Sequence, residues 1–222
     1  MNQYLLPLKE SFEANANAEN ALAMRAYMKN LFEFHGIKST ERRGLQQAFL
    51  AEHGQPQPFD IEILLSLWKA DQREYQYFGL DLLRKHAKKA LKNDLELIQQ
   101  LIVTKSWWDT VDGLASWVCG PYFRKFPERM RPITDAWSVS ENMWLRRTSI
   151  IFQLGYKEKT DTALLLDHIE RNLGTKEFFI NKAIGWSLRE YAKTDPEFVR
   201  DHVDRMKTEL NDLSVREALK NL

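Results

Sequence analysis

Cysteine is nearly absent: Cys119 stands alone in a chain of 222 residues. A lone thiol cannot close an internal disulfide, so the chain suits a reducing cytosol. Glycine and proline are also scarce, at 9 and 7 residues, which leaves little turn material for an all-β fold. No apolar run approaches the length of a membrane span. The first 17 residues carry acidic and polar groups and no apolar stretch of the kind a signal peptide needs. There is no Cys/His cluster at metal-ligand spacing and no glycine-rich phosphate loop, so neither a metal nor a cofactor is expected. An excess of one charge is missing too. The 32 basic and 31 acidic residues leave a net +1, and total charge gives no argument for a nucleic-acid partner.

What is present is an ordinary globular composition, 44% hydrophobic and 28% charged, with material for a sizeable core. It suits one elongated domain or two small ones, and a single domain over 1–222 is the expectation. Local charge is less even than total charge. Arg25, Lys29, Lys38, Arg42 and Arg43 outnumber Glu33 and Glu41 between positions 25 and 43. A second basic run spans 84–89, and Arg124, Lys125, Arg129 and Arg131 form a third. Such runs are usually solvated faces, and they make a DNA footprint only where the fold gathers them on one side.

Helical periodicity covers almost the whole chain. Helices are predicted over 2–16 and 18–34, from a Thr40 cap over 41–53, and over 59–69, 73–90 and 94–103. A helix from 107 to about 118 should end at Gly120-Pro121. Further helices fit 121–125, 127–136, 141–155, 161–172, 176–193 and 196–207. Ser214 and Glu217 read as a capping box for a last one.

The stretch 106–112, SWWDTVD, is the most distinctive. Ser106 and Asp109 have the spacing of a capping box. Two adjacent indoles follow Ser106, and one helical face cannot bury both. Trp108 and Asp112 are four apart and share a face. An indole beside a carboxylate fills a core poorly but holds a cationic group well. Asp109 has a structural role available near the positive end of the helix dipole, whereas Asp112 has none. The plainer reading is a solvated Asp112 and a packing Trp108.

A repeat runs through the chain. Tyr75, Trp108, Trp144 and Phe179 are spaced by 33, 36 and 35 residues, and Asp112, Arg147 and Lys182 by 35 and 35. A period in the mid-thirties built from helix pairs points to an α-solenoid. Lys182, Trp186 and Arg189 then share a helix face. Repeated core packing accounts for Trp144 and Phe179, but not for polar residues recurring beside them.

The stretch from Leu101 to Asp112 (LIVTKSWWDTVD) resembles the signature of the DNA alkylation repair enzymes, bacterial HEAT-like-repeat DNA glycosylases. So do Tyr27–Asn30 (YMKN), Asn142–Arg147 (NMWLRR) and Lys176–Lys193 (KEFFINKAIGWSLREYAK). These segments, in the right order, span most of the chain. One departure is Ser39-Thr40-Glu41, where a Thr-Pro is expected before the glutamate. The resemblance implies an all-α, right-handed α-α superhelix of HEAT-like helix pairs that cradles double-stranded DNA. It implies removal of positively charged N3- and N7-alkylated purines, such as 3-methyladenine and 7-methylguanine. Carried onto this sequence, the catalytic carboxylate falls on Asp112 and the sugar-contacting indoles on Trp108 and Trp186. The lesion-side arginine and tyrosine fall on Arg147 and Tyr27. Lys29, Thr40, Arg43, Ser106, Lys182 and Arg189 are the expected DNA contacts. A monomer in the bacterial cytoplasm, with no membrane partner, is expected.

The chemistry is coherent. An alkylated purine already carries positive charge and leaves as a neutral base, so little general-acid help is needed. The sugar passes through an oxocarbenium-like transition state, as in glycoside hydrolysis. A fixed carboxylate stabilises that charge, and indole faces add cation–π attraction of about 0.5–2 kcal/mol each. Two other classes compete. HEAT-like stacks are often non-catalytic scaffolds for DNA or protein, although a scaffold has no need of Asp112, Trp108 and Trp186 together. A hydrolase of free nucleosides or glycosides would want a closed pocket and paired carboxylates, and the sequence offers neither.

Overall fold

The computed structural model describes residues 1–222 and is helical throughout, with one isolated β-bridge between Glu33 and Gln72. It divides into two compact units, Met1–Ala90 and Leu91–Leu222.

The first unit contains α1 (Leu6–Ala14), α2 (Ala18–Tyr27), α3 (Ser39–His53), α4 (Ile61–Lys69) and α5 (Arg73–His86). Leu5, Leu8, Phe12, Ile37, Phe49, Leu67, Tyr75 and Phe78 fill its core. The helix predicted over 18–34 stops at Tyr27, because Lys29 and Asn30 both take left-handed backbone (φ 58°). The chain then lies over the buried Glu74, whose carboxylate accepts the backbone N–H groups of His35, Gly36 and Ile37 at 3.1, 2.9 and 3.2 Å. A buried carboxylate taking three amide donors outweighs the propensity of the segment to stay helical. Thr40 does not cap α3. The N-cap is Lys38, without a side-chain bond, and Thr40 is the exposed second residue of the helix.

The second unit contains α6 (Asp94–Val103), α7 (Trp108–Gly113), α8 (Gly120–Lys125), α9 (Pro127–Ser138), α10 (Met143–Ile151), α11 (Thr162–Glu170), α12 (Phe178–Tyr191), α13 (Pro196–Arg205) and α14 (Asp212–Ala218). Side-chain caps by Asn142, Asp161 and Asp195 start α10, α11 and α13. In one layer α10 packs between α7 and α12, and α12 packs on α14. Behind it, α9 packs on α10 and α11, and α13 on α12 and α14. The repeat appears as bonds between consecutive helix pairs. Tyr156 Oη donates to the Gly120 carbonyl 36 positions away, Asn172 Nδ2 to the Ser138 carbonyl 34 away, and Ser214 Oγ to the Asn181 carbonyl 33 away.

Gly120-Pro121 does not break the chain between α7 and α8. Leu114–Cys119 is a π-helical segment joining them, with αR backbone at Gly113, Leu114, Cys119 and Gly120. The Gly120 N–H reaches back five residues to the Ala115 carbonyl. Wider winding here lets the helix continue past a proline that has no N–H to donate. Gly120 is required by close approach: a Cβ there would lie 2.8 Å from the Phe152 carbonyl oxygen. Gly120→Ala should therefore cost about 1–3 kcal/mol of stability, read from urea denaturation.

Candidate active site

Asp112 lies one turn into α7, its neighbourhood set by Trp107 and Trp108. The predicted capping box is not formed. Ser106 Oγ instead donates to the Ile102 carbonyl at the end of α6, 2.6 Å away, and the N-cap position is Trp107, in extended backbone (φ −157°, ψ 162°). That geometry separates the two indoles. Trp107 turns into an aromatic cluster with Trp144 and Phe179, ring centroids 5.7 and 5.0 Å away, and those two rings are 5.1 Å apart. Trp107, rather than Trp108, thus joins the rings of Trp144 and Phe179. Trp108 becomes the first residue of α7 and stays partly exposed.

The Asp112 carboxylate meets the Arg147 guanidinium of α10 in a two-pronged ion pair. Nε donates to Oδ1 at 2.7 Å and Nη2 to Oδ2 at 2.8 Å. Arg147 Nη1 donates to the backbone carbonyl of Phe179, at the start of α12. One guanidinium therefore joins α7, α10 and α12 across 35 and 32 positions of sequence. Arg147 is only 3% exposed and Asp112 16%. Burial pushes the Asp112 carboxyl above the ordinary aspartate value, Arg147 counters without cancelling it, and Asp109 adds a small push upward. A carboxylate so fixed, and still partly open to solvent, is preorganised to meet positive charge.

A second polar group lies on α12 and α14. Lys182, Trp186 and Arg189 share a face of α12, and all three are partly exposed. The indole of Trp186 packs against the core of the second unit. Glu217 of α14 accepts from Lys182 Nζ at 2.7 Å and from Arg189 Nη1 at 2.6 Å. The hydrogen bond from Lys182, then that from Arg189, holds the Glu217 carboxyl below the ordinary glutamate value. Glu217 is not part of a capping box, since Asn211 caps α14. It lies 35 positions after Lys182, so continuing the series Asp112, Arg147, Lys182 would have found it.

The remaining expected contacts lie in the first unit. Tyr27, at the end of α2, is 70% exposed, and Lys29, Thr40 and Arg43 are exposed as well. No group of His, Cys, Asp and Glu residues is arranged to hold a metal ion, and no helix is long and apolar enough to cross a membrane.

Comparison with known proteins is consistent with this geometry. A family model described as "DNA alkylation repair enzyme" matches residues 8–222. A solved structure titled "Predicted DNA alkylation repair enzyme from Enterococcus faecalis" is 35% identical, covers 93% of this chain and 96% of its own, and superposes with a TM-score of 0.85. Among curated proteins no match was found.

Proposed function

This chain belongs to the DNA alkylation repair enzyme family, and from that premise we propose that it hydrolyses the N-glycosidic bond of positively charged alkylated purines in duplex DNA, leaving an abasic site. The observation that carries the reading is the Asp112 carboxylate, fixed by Arg147, still partly exposed, and one helical turn from the partly exposed Trp108. Positive charge grows on the sugar as the bond to the base lengthens. Asp112 stabilises that charge and orients water, while Trp108 and Trp186 offer ring faces to the cationic sugar. The base leaves neutral, so no strong general acid is needed. The test is incubation with duplex containing 7-methylguanine followed by hot alkali, which cuts at abasic sites. Enzyme-dependent strand breaks are the expected result. Salt-sensitive binding without breaks would point to a binding scaffold instead.

The expected role of Arg147 changes in this reading. A guanidinium 3% exposed, with its donors on Asp112 and the Phe179 carbonyl, is a positioning group for the carboxylate rather than a direct contact to the lesion. Lys29, Arg43, Lys182 and Arg189 are the better phosphate contacts, being exposed or partly exposed. Lys182 and Arg189 share the Glu217 carboxylate and count together as about one, so with Lys29 and Arg43 the log–log slope of binding against salt should lie near −2.7 for undamaged duplex. Fluorescence anisotropy across a salt series measures it. Arg43→Ala should make the slope shallower by about one unit, whereas a substitution at Arg147 should leave it nearly unchanged.

A further inference from the structure

Lys182 and Arg189 stand on either side of Trp186 on one face of α12, and both cations close on one carboxylate, Glu217. Glu217 is 7% exposed, whereas the Lys182 and Arg189 side chains are exposed enough to meet a ligand. The helices that carry them are pressed together at Gly185, where a Cβ would lie 2.5 Å from Glu217 Cβ and 2.7 Å from the Ser214 carbonyl oxygen. Ser214 Oγ adds a hydrogen bond to the Asn181 carbonyl at 2.8 Å, one position before Lys182. Two long flexible cations are therefore tied to a rigid backbone contact through a single side chain. Untied, each would sample many rotamers, at an entropic cost on binding.

We infer that Glu217 is a positioning residue for DNA engagement. It fixes Lys182 and Arg189 on both flanks of Trp186, and it trims the local charge from two positive to one. This rests on the proposed glycosylase reading, in which Lys182 and Arg189 meet phosphates and Trp186 meets the lesion sugar. Trimming keeps undamaged duplex from being gripped too tightly, and fixing holds the indole in register with the sugar.

Two variants separate charge from geometry. Glu217→Gln removes the negative charge at nearly constant shape, so both cations become fully available to phosphate. Glu217→Asp keeps the charge but is one methylene shorter, so it cannot span both cations. With Glu217→Gln, binding of undamaged duplex should tighten several-fold at low salt, and the salt slope should steepen by about one unit. Its single-turnover excision rate at saturating enzyme should fall about tenfold. Glu217→Asp should keep the wild-type slope and still lose excision rate. A Glu217→Gln protein with wild-type slope and wild-type saturating rate overturns the inference. So does a parallel loss of binding and excision that follows the folded fraction measured by circular dichroism, the behaviour of a merely structural carboxylate. If the wild-type protein itself neither binds duplex with salt sensitivity nor excises 7-methylguanine, the glycosylase reading fails, and that outcome is distinct from failure at Glu217.

Discussion

Asp112→Asn should lower single-turnover excision of 7-methylguanine from duplex DNA by about 10²–10³-fold, roughly 3–4 kcal/mol of transition-state stabilisation. The amide keeps the shape of the carboxylate and can still accept one hydrogen bond from Arg147, but it brings no negative charge to the sugar. Binding of undamaged duplex should change little, because Asp112 is held on a buried arginine rather than aimed at phosphate. The measurement is a quench-flow or manual time course with enzyme in excess, alongside anisotropy for binding. Asp109→Asn is the matched control: in the first turn of α7 it should cost about 1 kcal/mol or less of stability and leave excision within a few-fold. An Asp112→Asn protein that excises at the wild-type rate would remove the carboxylate from the mechanism. Loss of chemistry in a folded Asp109→Asn would show that the two acids had been assigned in reverse.

Arg147→Met carries the second large effect, and on a different observable. It fills the volume but leaves a mostly buried carboxylate without its counter-charge, which costs about 3–5 kcal/mol when one partner of such a pair is removed. For a chain of this size the thermal midpoint should fall by roughly 6–20 °C. Asp112 can relieve part of that cost by taking up a proton. The sign of the pH effect follows. Arg147 pulls the Asp112 value down while burial pushes it up, so removing Arg147 moves it further up. If ionised Asp112 is needed for chemistry, the acid limb of kcat/KM moves to higher pH in the variant, while the salt slope of duplex binding stays put. An acid limb that does not move would mean that the limb reports another group.

The helices themselves were legible in the sequence because periodicity and caps agree over most of them. Asn142, Asp161 and Asp195 cap where their residue types suggest, and α6 occupies the predicted 94–103. The misreadings of Ser106, Ser214 and the end of α2 come from local signals losing to other partners, four residues back for Ser106 and more than thirty away for the other two. Ser106 and Ser214 carry the residue type and spacing of capping boxes, yet their hydroxyls bond to Ile102 and Asn181 carbonyls on neighbouring helices. The end of α2 is set by Glu74, 39 positions from His35, which no local window contains. The repeat period was legible and was the better guide. It places Asp112 opposite Arg147 and Lys182 opposite Glu217, both 35 apart. It could not say that a guanidinium would turn to the carboxylate one repeat before it rather than outward to phosphate, because residue type allows both. Nor could it choose Trp107 over Trp108 for the aromatic cluster, a matter of one residue at a helix start.

The π-helical segment at Leu114–Cys119 sits between two attachments with separate demands. Ahead of it, Asp112 must face Arg147 on α10; beyond it, Tyr122 must send its hydroxyl to the Lys92 carbonyl, 2.8 Å away and 30 positions back. A uniform α-helix sets the rotation between two such positions by arithmetic alone, at about 100° per residue. One wider turn takes up roughly an extra residue without lengthening the helix, so it works as a phase shifter between its two ends. The front half can then be aimed for chemistry and the back half for anchorage, each independently. Even α-winding through all six residues of 114–119 would swing one half about 100° out of phase, parting Asp112 from Arg147 or Tyr122 from its anchor, whereas deleting one of them would let the helix wind evenly with both ends still in register.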